Sequence, residues 1–287
     1  MVRRFPRHKN PPMTDNSPTT RTRSSYLASA GFFFLLVILL SIPFYVLGAA
    51  GDRLPIMTFL PISALATFVP MIAALILVCR ERGAQGVREL LARVLDYRRI
   101  KSAGWGLTAV LLMPMVFLLA YGVLRLEGRA LPDAQYFSIA EMIAFTLLFF
   151  AGAVGEELGW QGYGFAKLNR RWTALEAALI IGVIWALWHV IPFVEMGRSA
   201  YWIIWHSLSI VMLRIIIVWL FVNTGQSVFI AALFHTTTNL AWGLIANYGS
   251  FYDPLVMLII LILLAVTIVM LWGPSTLAHF KYARDRA

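Results

Sequence analysis

Eight apolar stretches of bilayer-crossing length take up most of this 287-residue chain, at about 27–49, 55–79, 104–124, 138–158, 174–194, 200–222, 226–247 and 254–273. A helical span needs roughly 20 such residues. Inside lipid each segment must satisfy its own backbone hydrogen bonds, so runs of this length dictate helices rather than open strands. Composition agrees: 60% of residues are hydrophobic and 13% charged, against about a quarter charged in a soluble domain. The expected fold class is all-α, a polytopic membrane helical bundle of about eight transmembrane helices forming one domain over 26–273.

Charge placement orients this bundle. With the N-terminus inside, the inner segments hold 19 Lys and Arg, the outer loops hold four, and Arg214 alone falls within a span. Such a bias puts both termini in the cytoplasm. The net charge of +10 therefore follows topology and argues against a nucleic-acid partner; membrane lipid is the partner it implies. Residues 1–25, with six basic residues and Pro11, Pro12 and Pro18, are expected to form a disordered cytoplasmic arm, and 274–287 a basic cytoplasmic tail. Within 80–103, Val87, Leu90, Leu91, Val94 and Leu95 alternate with arginines at helical spacing. They suggest either an amphipathic helix on the inner leaflet or an ordinary connecting helix. One cysteine, Cys79, excludes an intramolecular disulfide and reads as a packing residue. The expected location is a multi-pass protein of a bacterial cytoplasmic membrane.

Against this background four polar residues stand out: Glu156, Glu157, His189 and His235. A charged carboxylate at membrane depth costs on the order of 2.5 kcal/mol or more, so such groups are functional by default. Glutamate and histidine together are also the usual means of activating water or holding a metal. Glu156 and Glu157 are neighbours on a helix and point roughly 100° apart, so one can enter a cavity while the other faces a partner.

Spacing tests whether the four can meet. Glu156 and His189 lie 33 residues apart with the polar turn Asn169–Trp172 midway. In an antiparallel hairpin, positions equidistant from the turn end level, each roughly 25 Å along at about 1.5 Å per residue. His235 sits at comparable depth in the seventh span, and Asn239 shares its helix face at i, i+4. Other candidates have plainer readings. His206, beside Trp202 and Trp205 in what looks like an interfacial belt, reads as an intramembrane histidine that bonds a neighbouring helix. Arg214 is expected to pair with a carboxylate or backbone, and the aromatic stripes read as packing.

The ordered motifs Glu156-Glu157 with Trp160 and Gly162, then the aromatic-x-x-x-His ending at His189, then His235-x-x-x-Asn239, resemble the CPBP family of intramembrane proteases. That family includes the CAAX prenyl endopeptidases and the Abi and bacteriocin-processing proteins, and the resemblance covers about 138–247. It implies Glu156 as the base that activates water, Glu157 as a second carboxylate that orients the site, and His189, His235 and Asn239 as the remaining catalytic residues. Trp160 and Gln161 fall at the substrate-binding end. The family commonly carries Arg where this chain has Gln161, which removes a charge beside the carboxylates. Family descriptions include metal-dependent and metal-free readings. Zinc on His189 and His235 and a purely glutamate-activated water therefore both stay open.

The resemblance makes a membrane-anchored or amphipathic, CAAX-like peptide the expected substrate. Two other classes compete. Buried Glu and His also build proton-coupled transporters, although the chain shows none of the internal symmetry common in carriers. A non-catalytic binding or immunity protein is the third class, and Gln161 favours it.

Overall fold

The computed structural model describes residues 20–51, 53, 61–130, 137–244, 252–278 and 280–281, with side chains from residue 30 onward. Its long helices are α1 (Thr20–Ala49), α2 (Val69–Ala92), α3 (Ala103–Leu126), α4 (Ile139–Gly159), α5 (Ala174–Glu195), α6 (Ala200–Asn223), α7 (Val228–Leu244) and α8 (Pro254–Trp272). Tighter 3₁₀ turns at Ile62–Phe68 and Arg93–Arg99 and a wider π-turn at Trp160–Phe165 fill the joints. Seven helical segments are long and apolar enough to cross a membrane, and α7 is a shorter apolar helix. The protein is thus an all-α, multi-pass membrane protein. Of the arm expected over 1–25, residues 1–19 lie outside the described residues, and α1 begins at Thr20. Within the expected C-terminal tail, residues 279 and 282–287 also lie outside them.

Large apolar side chains remain on the outside of the bundle, among them Leu47, Leu119, Leu147, Leu187, Leu263 and Met270. In a soluble protein this would be an aggregation liability; here it is the face offered to lipid. Two helix starts are fixed by capping boxes, Ser138 with Glu141 on α4 and Thr173 with Glu176 on α5. Each satisfies otherwise orphaned backbone donors and sets where its helix enters the bundle.

Small residues decide how close the helices come. Gly152, Gly155 and Gly159 line one face of α4 against the start of α2. A methyl group at Gly155 would stand 2.8 Å from the Thr67 carbonyl oxygen, and one at Gly159 would collide with the Pro70 backbone. Such contact is the small-residue packing of membrane helices, and it carries Thr67 up to Glu156. Gly182 on α5 plays the same part against α6, where an added methyl would come within 3.2 Å of the Arg214 stem.

Segment 80–103 takes the connecting-helix form over its first part, where Val87 and Leu90 pack against the core. That part continues α2 beyond a kink at Gly83, whose φ of 62° suits glycine. The rest becomes the 3₁₀ turn Arg93–Arg99. Arg93 donates to the carbonyls of Gly162 and Gln226, Arg99 to that of Gly225. Asp96 accepts from Ser227, Val228 and Phe229 at the start of α7. These polar side chains satisfy backbone groups at the joints between helices. Cys79 is exposed rather than packed.

Candidate active site

Glu156 and Glu157 close α4, 5% and 0% exposed respectively. Their different directions on the helix give them different surroundings. Glu156 lines a cavity of about 310 Å³ together with His189, His235 and Asn239. Four of the expected catalytic residues therefore share one chamber, whose remaining wall is mostly apolar and aromatic, including Met113, Phe117, Phe149, Ile210 and Met257.

Among the described residues, only neutral donors hold the Glu156 carboxylate. Oε2 accepts from the indole N–H groups of Trp185 at 2.5 Å and Trp160 at 3.3 Å, and Oε1 from the Thr67 hydroxyl at 3.1 Å. Three donors on a group with about four acceptor positions leave capacity on Oε1. Glu157 turns the other way, off the cavity. Its Oε2 accepts from Arg214 Nη1 at 2.7 Å and its Oε1 from His235 Nδ1 at 3.0 Å. Arg214 itself is fully buried. The expectation that Arg214 pairs with a carboxylate is met, and its partner is the second acid of the motif.

His189 and His235 are both anchored through Nδ1. His189 Nδ1 donates to the Trp185 carbonyl at 2.8 Å, and His235 Nδ1 to Glu157. Each ring therefore keeps Nε2 free of these anchors, as second-shell bonding of a functional imidazole generally arranges. Asn239 lies one helical turn beyond His235 on the same face of α7.

Trp185 links these groups. Its N–H holds Glu156, its carbonyl holds His189, its ring meets His189 and His235 edge-on at 5.3 Å each, and the Arg214 guanidinium lies 4.0 Å above it. Read from sequence as packing, it is the best-connected side chain of the site. The available signal is its position one turn before His189, which turns it to the same helix face. Thr67 has no comparable signal, being 89 residues from Glu156 on an irregular 3₁₀ turn.

Trp160 and Gln161, expected at the substrate-binding end, are fully buried and are not among the cavity-lining residues. Trp160 instead holds Glu156 from behind, and neither atom of the Gln161 amide finds a partner among the described residues. His206 makes the helix-to-helix bond expected of it, at the start of α8. It lines the cavity, with Nδ1 2.6 Å from the Tyr252 hydroxyl.

Comparison with known proteins bears on the same stretch. Residues 138–241 match the sequence profile of a family described as Type II CAAX prenyl endopeptidase Rce1-like. A CAAX prenyl protease 2 of Methanococcus maripaludis is 26% identical over 240 residues, covering 78% of this chain and 87% of that protein. The matched stretch contains both carboxylates, Trp185, both anchored histidines and Asn239.

Proposed function

We propose that this chain, a member of the CPBP family of intramembrane proteases, is an endopeptidase that hydrolyses a peptide bond in a membrane-anchored or amphipathic, CAAX-like peptide. The observation that carries this reading is the placement of Glu156: a carboxylate on the wall of an apolar cavity, bound only by neutral donors, beside two histidines whose Nδ1 atoms are engaged elsewhere. A base needs a lone pair and no strong counter-charge, and Glu156 meets both conditions.

In this reading a water binds between Oε1 of Glu156 and Nε2 of His189. Glu156 takes its proton as the oxygen attacks the scissile carbonyl. Nε2 of His235, when protonated, and the Asn239 amide face the developing oxyanion, where preorganised donors are worth roughly 2.7–4 kcal/mol each. Glu156 then passes the proton to the departing amine, and a carboxylate and an amine leave. The apolar chamber accepts the side chains flanking the bond and keeps bulk water out. The positive-inside bias supports both termini lying in the cytoplasm.

The donor set argues against routing the reaction through zinc. No three His, Cys, Asp or Glu side chains form a metal-holding group among the described residues. Glu156, the natural third donor beside His189 and His235, has Oε2 filled by two indoles, and the one position left on Oε1 is the one this reading gives to the water. We therefore read the water as activated by glutamate alone.

The test is cleavage of membrane-anchored peptides by purified protein in detergent, comparing wild type with Glu156→Gln and each with and without chelator. The expected result is cleavage by wild type that resists chelation and falls by about 10³-fold or more in the variant, the range for loss of a general base. Undiminished cleavage by Glu156→Gln would overturn the assignment, and chelator-sensitive cleavage would overturn its metal-free form.

A further inference from the structure

Arg214 is an arginine in the interior of an otherwise apolar membrane helix, 0% exposed, and the chemical steps above leave it without a task. A cation in that position is expensive and needs a reason. Its contacts provide one. Nη1 donates to Glu157 Oε2 at 2.7 Å, and the guanidinium plane covers the Trp185 ring at 4.0 Å. Gly182 leaves room for its stem where α5 and α6 meet. One side chain thus touches the partner of His235 directly and the indole that holds Glu156 through its face.

We infer that Arg214 is a positioning residue for both halves of the site, keeping Glu157 in the role of pure acceptor and bracing Trp185 against Glu156. This inference rests on the protease reading above. Without a cation beside it, a carboxylate in so dry a place takes up a proton rather than stay charged. Glu157 would then carry an O–H that can point at His235 Nδ1, making that nitrogen the acceptor and moving the ring hydrogen to Nε2. With Arg214 in place both Glu157 oxygens accept and His235 Nδ1 keeps its hydrogen. A second proton on Nε2 then makes an imidazolium balanced by the Glu157 charge, a stronger donor to the oxyanion than the neutral Nε2–H beside a protonated Glu157. The cation acts on the hydrogen of His235 without touching substrate.

Gln161 allows a direct test of charge against shape. It lies four residues after Glu157, at the start of the π-turn, fully buried, with its amide unpartnered among the described residues. An arginine there would reach Glu157 from its own helix, since i and i+4 side chains are neighbours.

The experiment measures kcat and KM for the peptide cleaved by wild type, in Arg214→Met, Arg214→Lys, Arg214→Gln and the relocation Gln161→Arg/Arg214→Gln. Arg214→Met is expected to lose about 10²-fold in kcat with KM within about threefold, the pattern of a contribution felt mainly in the transition state. The relocation should recover about tenfold in kcat over Arg214→Gln, and Arg214→Lys should stay about tenfold above Arg214→Met, because both keep a cation at the carboxylate. If Arg214→Met does not fold, Glu157→Gln/Arg214→Met removes both charges and leaves none bare; it should fold and remain slow. A folded Arg214→Met or neutral pair with wild-type kcat would overturn the inference. So would a lysine and a relocated arginine that are both no better than their neutral counterparts.

A readout independent of turnover separates this inference from the protease reading. Side-chain nitrogen NMR, assigned by subtracting a His235→Gln spectrum, should show the hydrogen of His235 on Nδ1 in wild type and displaced from it in Arg214→Met. If the hydrogen moves while wild type cleaves no peptide, the protease reading fails and the positioning role stands. If wild type cleaves and His235 is indifferent to Arg214, the positioning role fails and the protease reading stands.

Discussion

Glu156 and Glu157 are chemically identical neighbours, yet one faces two indoles and a hydroxyl while the other faces an arginine and a histidine. Both are buried, so burial alone does not tell them apart. The partners do. Neutral donors steady a carboxylate but leave it able to exchange a proton, whereas a buried guanidinium commits its partner to a lasting charge. The rotation between adjacent helical positions thus divides labour within one dipeptide: the first acid works on the cavity, and the second holds together the groups around it.

If that division is right, the two acids should fail differently when neutralised. Glu157→Gln leaves Arg214 a bare cation in the interior, which costs about 3–5 kcal/mol when a buried pair is broken from one side. Glu156→Gln removes a charge that has no cation to orphan, and an amide can still accept from the indoles, so its stability should stay within about 1 kcal/mol of wild type. Thermal unfolding of the two variants in one detergent compares them. Equal losses would mean that the two environments do not differ as their partners suggest.

Trp185 borders both settings, and Trp185→Phe sharpens the contrast by removing its N–H while keeping an aromatic ring. A smaller ring still faces His189, His235 and Arg214, while Glu156 loses its shortest hydrogen bond. A bond to a charged group is worth about 1.5–3 kcal/mol, so kcat should drop by roughly 10- to 100-fold while the protein, which loses some packing, stays folded. A variant that unfolds early but turns over normally would return Trp185 to plain packing.

These contrasts also mark where reading from sequence runs out. Length and hydropathy were enough for the all-α bundle, because lipid leaves a backbone few choices. The pairing of Glu156 with His189 followed from equal distances to one turn, and the i, i+4 relation placed Asn239 with His235. Partner identity could not follow in the same way. Which acid takes Arg214 depends on how α4 is rotated against α6, and that rotation is set by side-chain packing among many apolar residues of similar hydropathy. The π-turn at Trp160–Phe165 has no sequence period of its own, and it puts Trp160 behind the site rather than on its wall. Likewise the glycine contact at Gly182 decides where α5 and α6 touch, yet as an isolated glycine in an apolar run it looks like many others.

Thr67 is the weakest of the Glu156 partners, and the reason is a count of hydrogens. Its hydroxyl lies 3.1 Å from Glu156 Oε1 and also 3.1 Å from the Gly152 carbonyl, and a hydroxyl has one hydrogen to give. Shared between two acceptors, it holds Oε1 for only part of the time, and when it turns to Gly152 it leaves that oxygen open to a water. Removing it with the near-isosteric Thr67→Val should therefore cost about 0.6 kcal/mol, the typical worth of a side-chain hydrogen bond between membrane helices, or roughly a threefold fall in kcat. A loss as large as that of Trp185→Phe would show that the hydroxyl serves Glu156 alone.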